Sequence, residues 1–315
     1  MPVSFNLDFI AVTESAALEA AKWVGKGDRN GADQAACEGM RRVLNEIEMR
    51  GVICIGEGER DEAPMLYIGE EVGTGEGEQV MIAVDPLEGT NLCANGTPNA
   101  IAVLAAAQVG KGKLMAAPDC YMDKLVVGAE CRGVVDITLP PRMNVRLMAK
   151  ALGKDVSEVT IGILDRPRHE KLIAEIRDAG ARVQLISDGD LSVAIAALDP
   201  NSGTDALMGM GGAPEGVITA AAVLCWGGEM QARLSFPREG QRERAAKMVE
   251  GDLDRVFHTE DLASGEVIFA ATGITQGDML KGVRYGRGYA ITESIVMRSA
   301  QGLIRRTETM HLDHA

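Results

Sequence analysis

Aromatic residues are scarce in this chain: five Phe, four Tyr and two Trp make up 3% of its 315 residues. A core built without them has to rest on Ala, Val, Ile, Leu and Met. Histidine is rarer still. His169, His258, His311 and His314 show no metal-ligand spacing such as His-x-x-Glu-His and are expected at the surface or as helix caps. None of the six cysteines (Cys37, Cys54, Cys93, Cys120, Cys131, Cys225) belongs to a Cys-x-x-Cys pair. Most lie in apolar or small-residue runs, so they read as reduced, largely buried thiols. No apolar run approaches the about 20 residues needed to span a bilayer. The opening residues carry neither the basic nor the apolar region of a signal peptide. These absences lead to the expectation of a cytoplasmic protein without a membrane partner. A full phosphate-loop pattern is missing too; Gly25-Lys26-Gly27 is a weak version of one, and Lys26 and Arg29 are assigned only a minor role.

Positive charge is in deficit, with 32 Lys and Arg against 46 Asp and Glu, a formal net charge of −14. Such a surface disfavours nucleic acids and anionic membranes, and its main effect is solubility. It does not forbid an anionic substrate, because bound metal ions reverse the local sign. The length allows one large domain or two moderate ones. The 37 Gly and 16 Met suit a tightly packed α/β protein with many turns.

Periodicity gives the organisation. Helices are expected over Ala11–Val24 and from Asn30 or Asp33 onward, the second with Ala36, Met40, Val43, Leu44 and Ile47 on one stripe and Gly51 as its stop. Val52–Ile55 and Val80–Val84 read as buried strands. Ala100–Gln108, Lys113–Ala117, Leu125–Val127 and Gly133–Leu139 read as further strands of the same sheet. Beyond Val159 the rhythm becomes strand, helix, strand, helix: strands Thr160–Leu164, Arg182–Ile186 and Ala206–Met208 alternate with helices over 168–179, 190–198 and 214–225. That alternation implies helices packed on a sheet. Arg238–Asp254 is highly charged and expected to face solvent. Val267–Ala271 and Ala290–Met297 supply late strands. The expected division is an N-terminal α+β unit over 1–155 that binds metal and phosphate, and a C-terminal α/β unit over 156–315 that binds substrate, the two packed as one.

The segment richest in chemistry is Val84-Asp85-Pro86-Leu87-Glu88-Gly89-Thr90, directly after the Val80–Val84 strand. Hard cations such as Mg²⁺ need several converging carboxylate oxygens. Phosphate needs backbone N–H groups at a helix start. The segment offers both, with a proline to fix the turn. Glu57 and Asp188 also follow apolar strands, where open α/β folds place ligand sites. Any one such acid alone is ordinary turn chemistry; Asp85, Glu88 and the glycine together are not.

The segment resembles the Asp-Pro-Ile/Leu-Asp-Gly-Thr signature of the inositol monophosphatase superfamily of lithium-sensitive, Mg²⁺-dependent phosphatases. Glu88 in place of the usual aspartate resembles the class II fructose-1,6-bisphosphatases. Other runs resemble that branch in the same order: Val12–Leu18, Gly25–Asn30, Ile55–Glu59, Asp61–Leu66, Ala117–Met122, Arg166–His169, Asp188-Gly189-Asp190, Gly211–Gly216 and Ala271–Thr275. Asn91–Gly96 is similar to the part of the branch with dual fructose-1,6- and sedoheptulose-1,7-bisphosphatase activity.

The resemblance implies a layered α-β-α-β-α sandwich of the sugar-phosphatase type. It implies metal-dependent hydrolysis of the 1-phosphate of D-fructose 1,6-bisphosphate, in gluconeogenesis or a Calvin-type cycle. Asp33, Glu57, Asp85, Glu88, Glu215 and the Leu87 carbonyl are the implied ligands of two or more Mg²⁺ or Mn²⁺ ions. Asp33, Thr90 and Glu57 are the implied catalytic set, with Thr90 donating to Asp33 while orienting the attacking water. Glu88, Gly89, Thr90, Tyr121, Arg166, Pro167, Arg168, Asp188, Gly189, Asp190 and Gly212 are the implied substrate contacts. Without the resemblance, Arg166–His169 reads as a solvated helix start. A homodimer or homotetramer is expected by the same likeness. The alternatives are a related phosphatase for inositol phosphates or nucleotide bisphosphates, and a non-catalytic cation-binding relative.

Overall fold

The structure is a computed structural model that describes residues 5–58 and 65–312. The Asp61–Pro64 part of one motif lies outside those residues. In chain order the described elements are α1 (Phe5–Ala21), α2 (Arg29–Leu44), β1 (Met49–Ile55), β2 (Glu71–Val72), β3 (Glu78–Glu88), α3 (Thr90–Asn95), β4 (Ile101–Leu114), β5 (Tyr121–Val127), α4 (Pro141–Leu152), β6 (Thr160–Leu164), α5 (Glu170–Asp178), β7 (Arg182–Ile186), α6 (Asp190–Ala196), β8 (Ala206–Gly212), α7 (Ala213–Trp226), β9 (Glu229–Ser235), α8 (Gln241–Met248), β10 (Phe257–His258), α9 (Thr259–Leu262), β11 (Ala263–Gly273), β12 (Arg284–Gly286), β13 (Tyr289–Arg298) and β14 (Leu303–Leu312). This is a mixed α/β protein. No helix among the described residues is long and apolar enough to cross a membrane.

Two compact units divide the chain: residues 1–114 with 265–315, and residues 115–264. The boundary expected near residue 155 is therefore displaced. The cause is strand pairing between distant segments. β11 inserts beside β4, and β13, β12 and β14 extend the same sheet, so the C-terminus returns to the first unit.

The first unit holds one mixed sheet in the order β12-β13-β11-β4-β3-β1-β2, with β14 on the outer side of β13. Helices α1 and α2 cover its apolar face. Phe9, Ala16, Ala36, Met40 and Leu44 pack there with Ile53, Ile82, Leu104, Ile268 and Val296. The Thr13–Glu14 motif docks α1 onto the sheet. The Thr13 hydroxyl meets that of Thr272 at 2.8 Å, and Glu14 accepts from Thr292 at 3.0 Å. Helix α2 ends at Leu44, capped by Asn45, and not at Gly51. Gly51 lies inside β1, opposite Val72 and Val80. The two strands expected over 100–108 and 113–117 are one, β4.

The second unit carries the sheet β10-β9-β5-β8-β6-β7, in which β6 runs parallel to both β7 and β8. β5 therefore belongs to this sheet, and Gly133–Leu139, expected as a strand, forms turns. Helices α4 and α5 cover one face through Val145, Met148, Ile173 and Ile176. Side chains alternate across a strand. Leu125 and Val127 join that cluster, while Lys124 faces the opposite side, towards Asp190 of α6. The α4 helix, with Pro141 at its first position, was not foreseen from the sequence.

Candidate active site

In the first unit, β1 and β3 run parallel and deliver Glu57 and Asp85 from the same end of the sheet. Beyond Asp85 the β3–β4 register slips by one residue, because Asp85 faces Val103 but Glu88 faces Ile101. A bulge of this kind bends the strand and re-aims its side chains. Pro86 lies within it. The Asp85 carboxylate accepts from the Leu87 amide at 3.1 Å, which pins the turn from inside. Glu88 is buried at 7% exposure. Gly89 then takes φ +84° as the N-cap of α3, and a Cβ there would fall 2.8 Å from Leu92 Cδ1. Only glycine fits both conditions.

Asp33 projects from the first turns of α2, where Asp28 caps the helix by accepting from the Gly31 amide. Its carboxyl is hydrogen-bonded to that of Glu57, and burial pushes its pKa up. Ligand atoms of Asp33, Cys37 and Glu57 lie within 4.8 Å of one another. Cys37 follows Asp33 by one turn of α2. Burial, and then the charges of Glu57, Asp33 and Asp85, drive its thiol far above its ordinary range. With these carboxylates uncompensated by a cation, the thiol is held protonated. The same effect places Asp85 within electrostatic reach of the Asp33–Glu57 pair. Sequence reasoning passed over Cys37; its spacing of four from Asp33 on a helix was the available signal.

The donor set fits a hard divalent cation: oxygen-rich, doubly or triply anionic, and without imidazole or thiolate. The Thr90 hydroxyl donates to the Leu87 carbonyl at 3.1 Å. Its one hydrogen is thereby used, so in this structure the Thr90 donation goes to Leu87 and not to Asp33. Arg29 Nη1 donates to Asn91 Oδ1 at 3.1 Å, and the Gly25 and Gly27 amides bond the Cys93 and Ala94 carbonyls. The weak glycine loop thus braces α3.

In the second unit the remaining candidates collect at one end of the sheet. Tyr121 opens β5 opposite Gly212, the last residue of β8. Arg166 and Arg168 follow β6, with Pro167 between them at the start of a 3-10 turn. Asp188 follows β7, and Gly189 precedes α6 in the left-handed conformation. Arg166 Nη2 lies 3.4 Å from Asp188 Oδ1. Arg168 sits over the Tyr121 ring, 5.0 Å from its centroid, and donates Nε and Nη2 to the Met210 carbonyl at 3.2 and 2.8 Å. His169 is buried rather than superficial. Its Nδ1 donates to the Leu164 carbonyl at 2.7 Å and its Nε2 accepts the Met210 amide at 2.8 Å. Adjacent residues 168 and 169 therefore grip both ends of Met210. His258 meets its expectation, capping α9.

Beneath that edge lies a charged cluster in which Asp190 and Glu215, named from the sequence, are joined by Lys124, which was not. Lys124 is fully buried, and its Nζ lies 2.8 Å from Asp190 Oδ2. Glu215, at the first turn of α7, is half-buried, but its Oε2 is covered and has no hydrogen-bond partner. Burial raises its pKa, opposed chiefly by the Lys124 charge. A Cβ at Gly212 would lie 1.9 Å from that oxygen, so the glycine makes room for it. An orphaned buried carboxylate oxygen suits a cation ligand. Asp190 is buried and ion-paired with Lys124. A cavity of about 210 Å³ lined by Tyr121, Gly212, Glu215 and Arg238 opens here.

Comparison with known proteins places the chain in a family. The family described as bacterial fructose-1,6-bisphosphatase, glpX-encoded, matches residues 3–311. A D-fructose 1,6-bisphosphatase class 2/sedoheptulose 1,7-bisphosphatase of Synechococcus sp. (strain JA-2-3B'a(2-13)) is 47% identical over 338 aligned positions, covering 99% of this chain and 96% of that protein. The protein of the same name from Crocosphaera subtropica is 47% identical, covering 99% and 97%. Among solved structures, an inositol monophosphatase from Anabaena (Nostoc) sp. PCC 7120 aligns with TM-score 0.31 and 13% identity over 62% of this chain and 70% of that one. With the family pattern matched almost end to end, the chain belongs to the glpX-encoded bacterial fructose-1,6-bisphosphatases.

Proposed function

We propose that the protein hydrolyses the 1-phosphate of D-fructose 1,6-bisphosphate, releasing fructose 6-phosphate and inorganic phosphate. The observation that carries this reading is the gathering of Asp33, Glu57 and Asp85 around Cys37, in a chain that matches the family over residues 3–311. Asp33, Glu57, Asp85, Glu88 and the Leu87 carbonyl would hold Mg²⁺ or Mn²⁺, and Glu215 would offer a cation a further carboxylate. Such ions supply Lewis acidity, which makes hydroxide available near neutral pH and stabilises developing charge on the leaving oxygen.

The chain's own groups do the rest. Thr90, its hydrogen held by the Leu87 carbonyl, keeps its oxygen lone pairs for a proton of the attacking water. That carbonyl retains its second lone pair for a cation. Asp33 and Glu57 are hydrogen-bonded to each other and burial raises the Asp33 pKa; a divalent cation would compensate the pair's charge. Gly89 and Thr90 offer amides to the phosphate being cleaved. Arg166 and Arg168 clamp the far phosphate, Arg168 aimed by the Met210 carbonyl and the Tyr121 ring.

A second activity, on sedoheptulose 1,7-bisphosphate, is favoured by the names of the relatives at 47% identity. Phosphate release from the two bisphosphates and from inositol 1-phosphate, with Mg²⁺ and with Mn²⁺, tests both readings. Fructose 1,6-bisphosphate is expected to be cleaved. Faster cleavage of inositol 1-phosphate would reverse the assignment. No turnover of the seven-carbon substrate would remove the second activity. The chain works as a homodimer or homotetramer.

A further inference from the structure

Sheet edges offer unpaired backbone groups to other strands. The two edges of the first unit's sheet differ sharply. At one end stands β2, only two residues long. At the other stands β14, ten residues long, paired with β13 along its whole length. No strand among the described residues pairs with its outer side. The solvent-facing row of β14 includes Ile304, Arg306, Glu308 and Met310, with Ile304 39% and Met310 57% exposed. Between the two charges, on the opposite face, sits Thr307, whose buried hydroxyl oxygen has no hydrogen-bond partner.

We propose that β14 joins β14 of a second copy of this chain, antiparallel, about a two-fold axis through Thr307. The order of side chains selects that partner and that register. With Thr307 opposite its symmetry mate, Arg306 faces Glu308 of the other copy, and Glu308 faces its Arg306. Ile304 faces Met310 on both flanks. Every pair in the outward row is then of opposite charge or apolar on apolar, as cross-strand neighbours require. A slip of two residues in one direction sets Arg306 against Arg306; in the other it sets Glu308 against Glu308. The slipped registers are thus disfavoured by like charge, and the strand specifies its own centre. At that centre the two Thr307 residues stand opposite each other across the axis. Within one chain Glu308 already pairs with Arg284 at 2.6 Å, and Arg306 donates to the Met279 carbonyl at 2.6 Å. The cross-copy pairs extend that row of charges. A self-paired edge is an isologous contact, the form a two-fold dimer takes.

Sedimentation equilibrium of the full chain over a range of concentrations tests this, with activity measured separately, since the inference does not depend on the catalytic reading. The native chain is expected to be a dimer or a multiple of one. Arg306→Glu and Glu308→Arg, each placing like charges across the axis, should weaken association by about tenfold or more. The double variant R306E/E308R should recover it. An equimolar mixture of the two single variants should recover it as a heterodimer. In Thr307→Cys, a short thiol-to-thiol cross-linker should join two chains, and a native-like melting curve guards against misfolding. A native monomer, single variants that associate as tightly as the native chain, or a mixture that fails to reassociate would overturn the proposal. If the edge charges serve only to block pairing, the single variants will leave the oligomeric state unchanged.

Discussion

Replacing His169 with alanine should loosen both the second unit and the far-phosphate clamp, for one structural reason. The imidazole is 3% exposed and bridges two backbone groups, the Leu164 carbonyl and the Met210 amide. Because Nε2 accepts an amide proton, the ring is the neutral tautomer protonated on Nδ1. Removing it strips a buried carbonyl and an amide of their partners. Each such loss costs about 1–3 kcal/mol, and Met210 is only half-buried, so a total of roughly 2–4 kcal/mol follows. At about 2 °C per kcal/mol, the melting temperature should fall by about 4–8 °C. The Met210 carbonyl also holds Arg168, so KM for the bisphosphate should rise by about 3–10-fold, from weakened charge-assisted bonding, with kcat little changed. The pH dependence adds a second signature. Burial lowers the His169 pKa below the ordinary 6.5. As pH falls through that ordinary value, the unfolded chain takes a proton that the folded ring refuses. Native stability should therefore fall below pH 6.5, by at most about 1.4 kcal/mol per pH unit, and level off once the folded ring also protonates. His169→Ala should lack this component. Urea unfolding from pH 5 to 8 with steady-state kinetics reads all three effects. A variant with native stability and KM, or with the native pH slope, would refute the bridging role.

Three further outcomes follow from the same geometry. Arg168→Ala should raise KM by roughly 10–100-fold, the value of a charged hydrogen-bonded contact, and leave kcat nearly intact; a large fall in kcat at unchanged KM would contradict a binding role. Lys124→Met removes one partner of a buried ion pair and should destabilise the second unit by about 3–5 kcal/mol in urea unfolding; an unchanged midpoint would show that the pair is not buried in solution. Cys37→Ala should retain turnover within about threefold, because the protonated thiol takes no covalent part; abolished turnover with intact folding and metal binding would reopen a thiol mechanism.

Legibility in the sequence followed the range of the interactions involved. Strands β6 and β7 coincide with the residues read from periodicity, since each is a short apolar run bounded by turns. The Asp85–Thr90 turn was legible because its proline, glycine and acids are adjacent and mutually constraining. Elements fixed by distant partners were not. Nothing near Ala263–Leu312 signals that these strands complete a sheet begun at Met49. The Leu303–Leu312 strand breaks alternation with two arginines in succession, and only its pairing with β13 makes it a strand. Gly51 looks like a helix stop but is tolerated inside β1, where a Cβ would press on Ile82 and Val72 at 2.9 Å. Pro141 looks like a break but occupies the first turn of α4, where its missing amide costs nothing. In the candidate site Asp33, Glu57 and Asp85, named by motif, lie near one another, while Lys124 was hidden. A lysine between Asp123 and Leu125 in a strand reads as exposed, and its burial depends on α6 and α7 arriving from later in the chain. His169 was misjudged for the same reason, its partners being the ends of two other strands.

Phosphate release from fructose 1,6-bisphosphate, followed while Mg²⁺ or Mn²⁺ is titrated into chelator-treated protein, bears most directly on the paired acids. The native chain should be silent without metal and recover with either ion. Glu57→Gln, which keeps the shape but removes the charge beside Asp33, should need at least about tenfold more metal and turn over more slowly. Full activity of the chelated native protein, or an unchanged metal requirement in Glu57→Gln, would contradict a cation held by Asp33, Glu57 and Asp85.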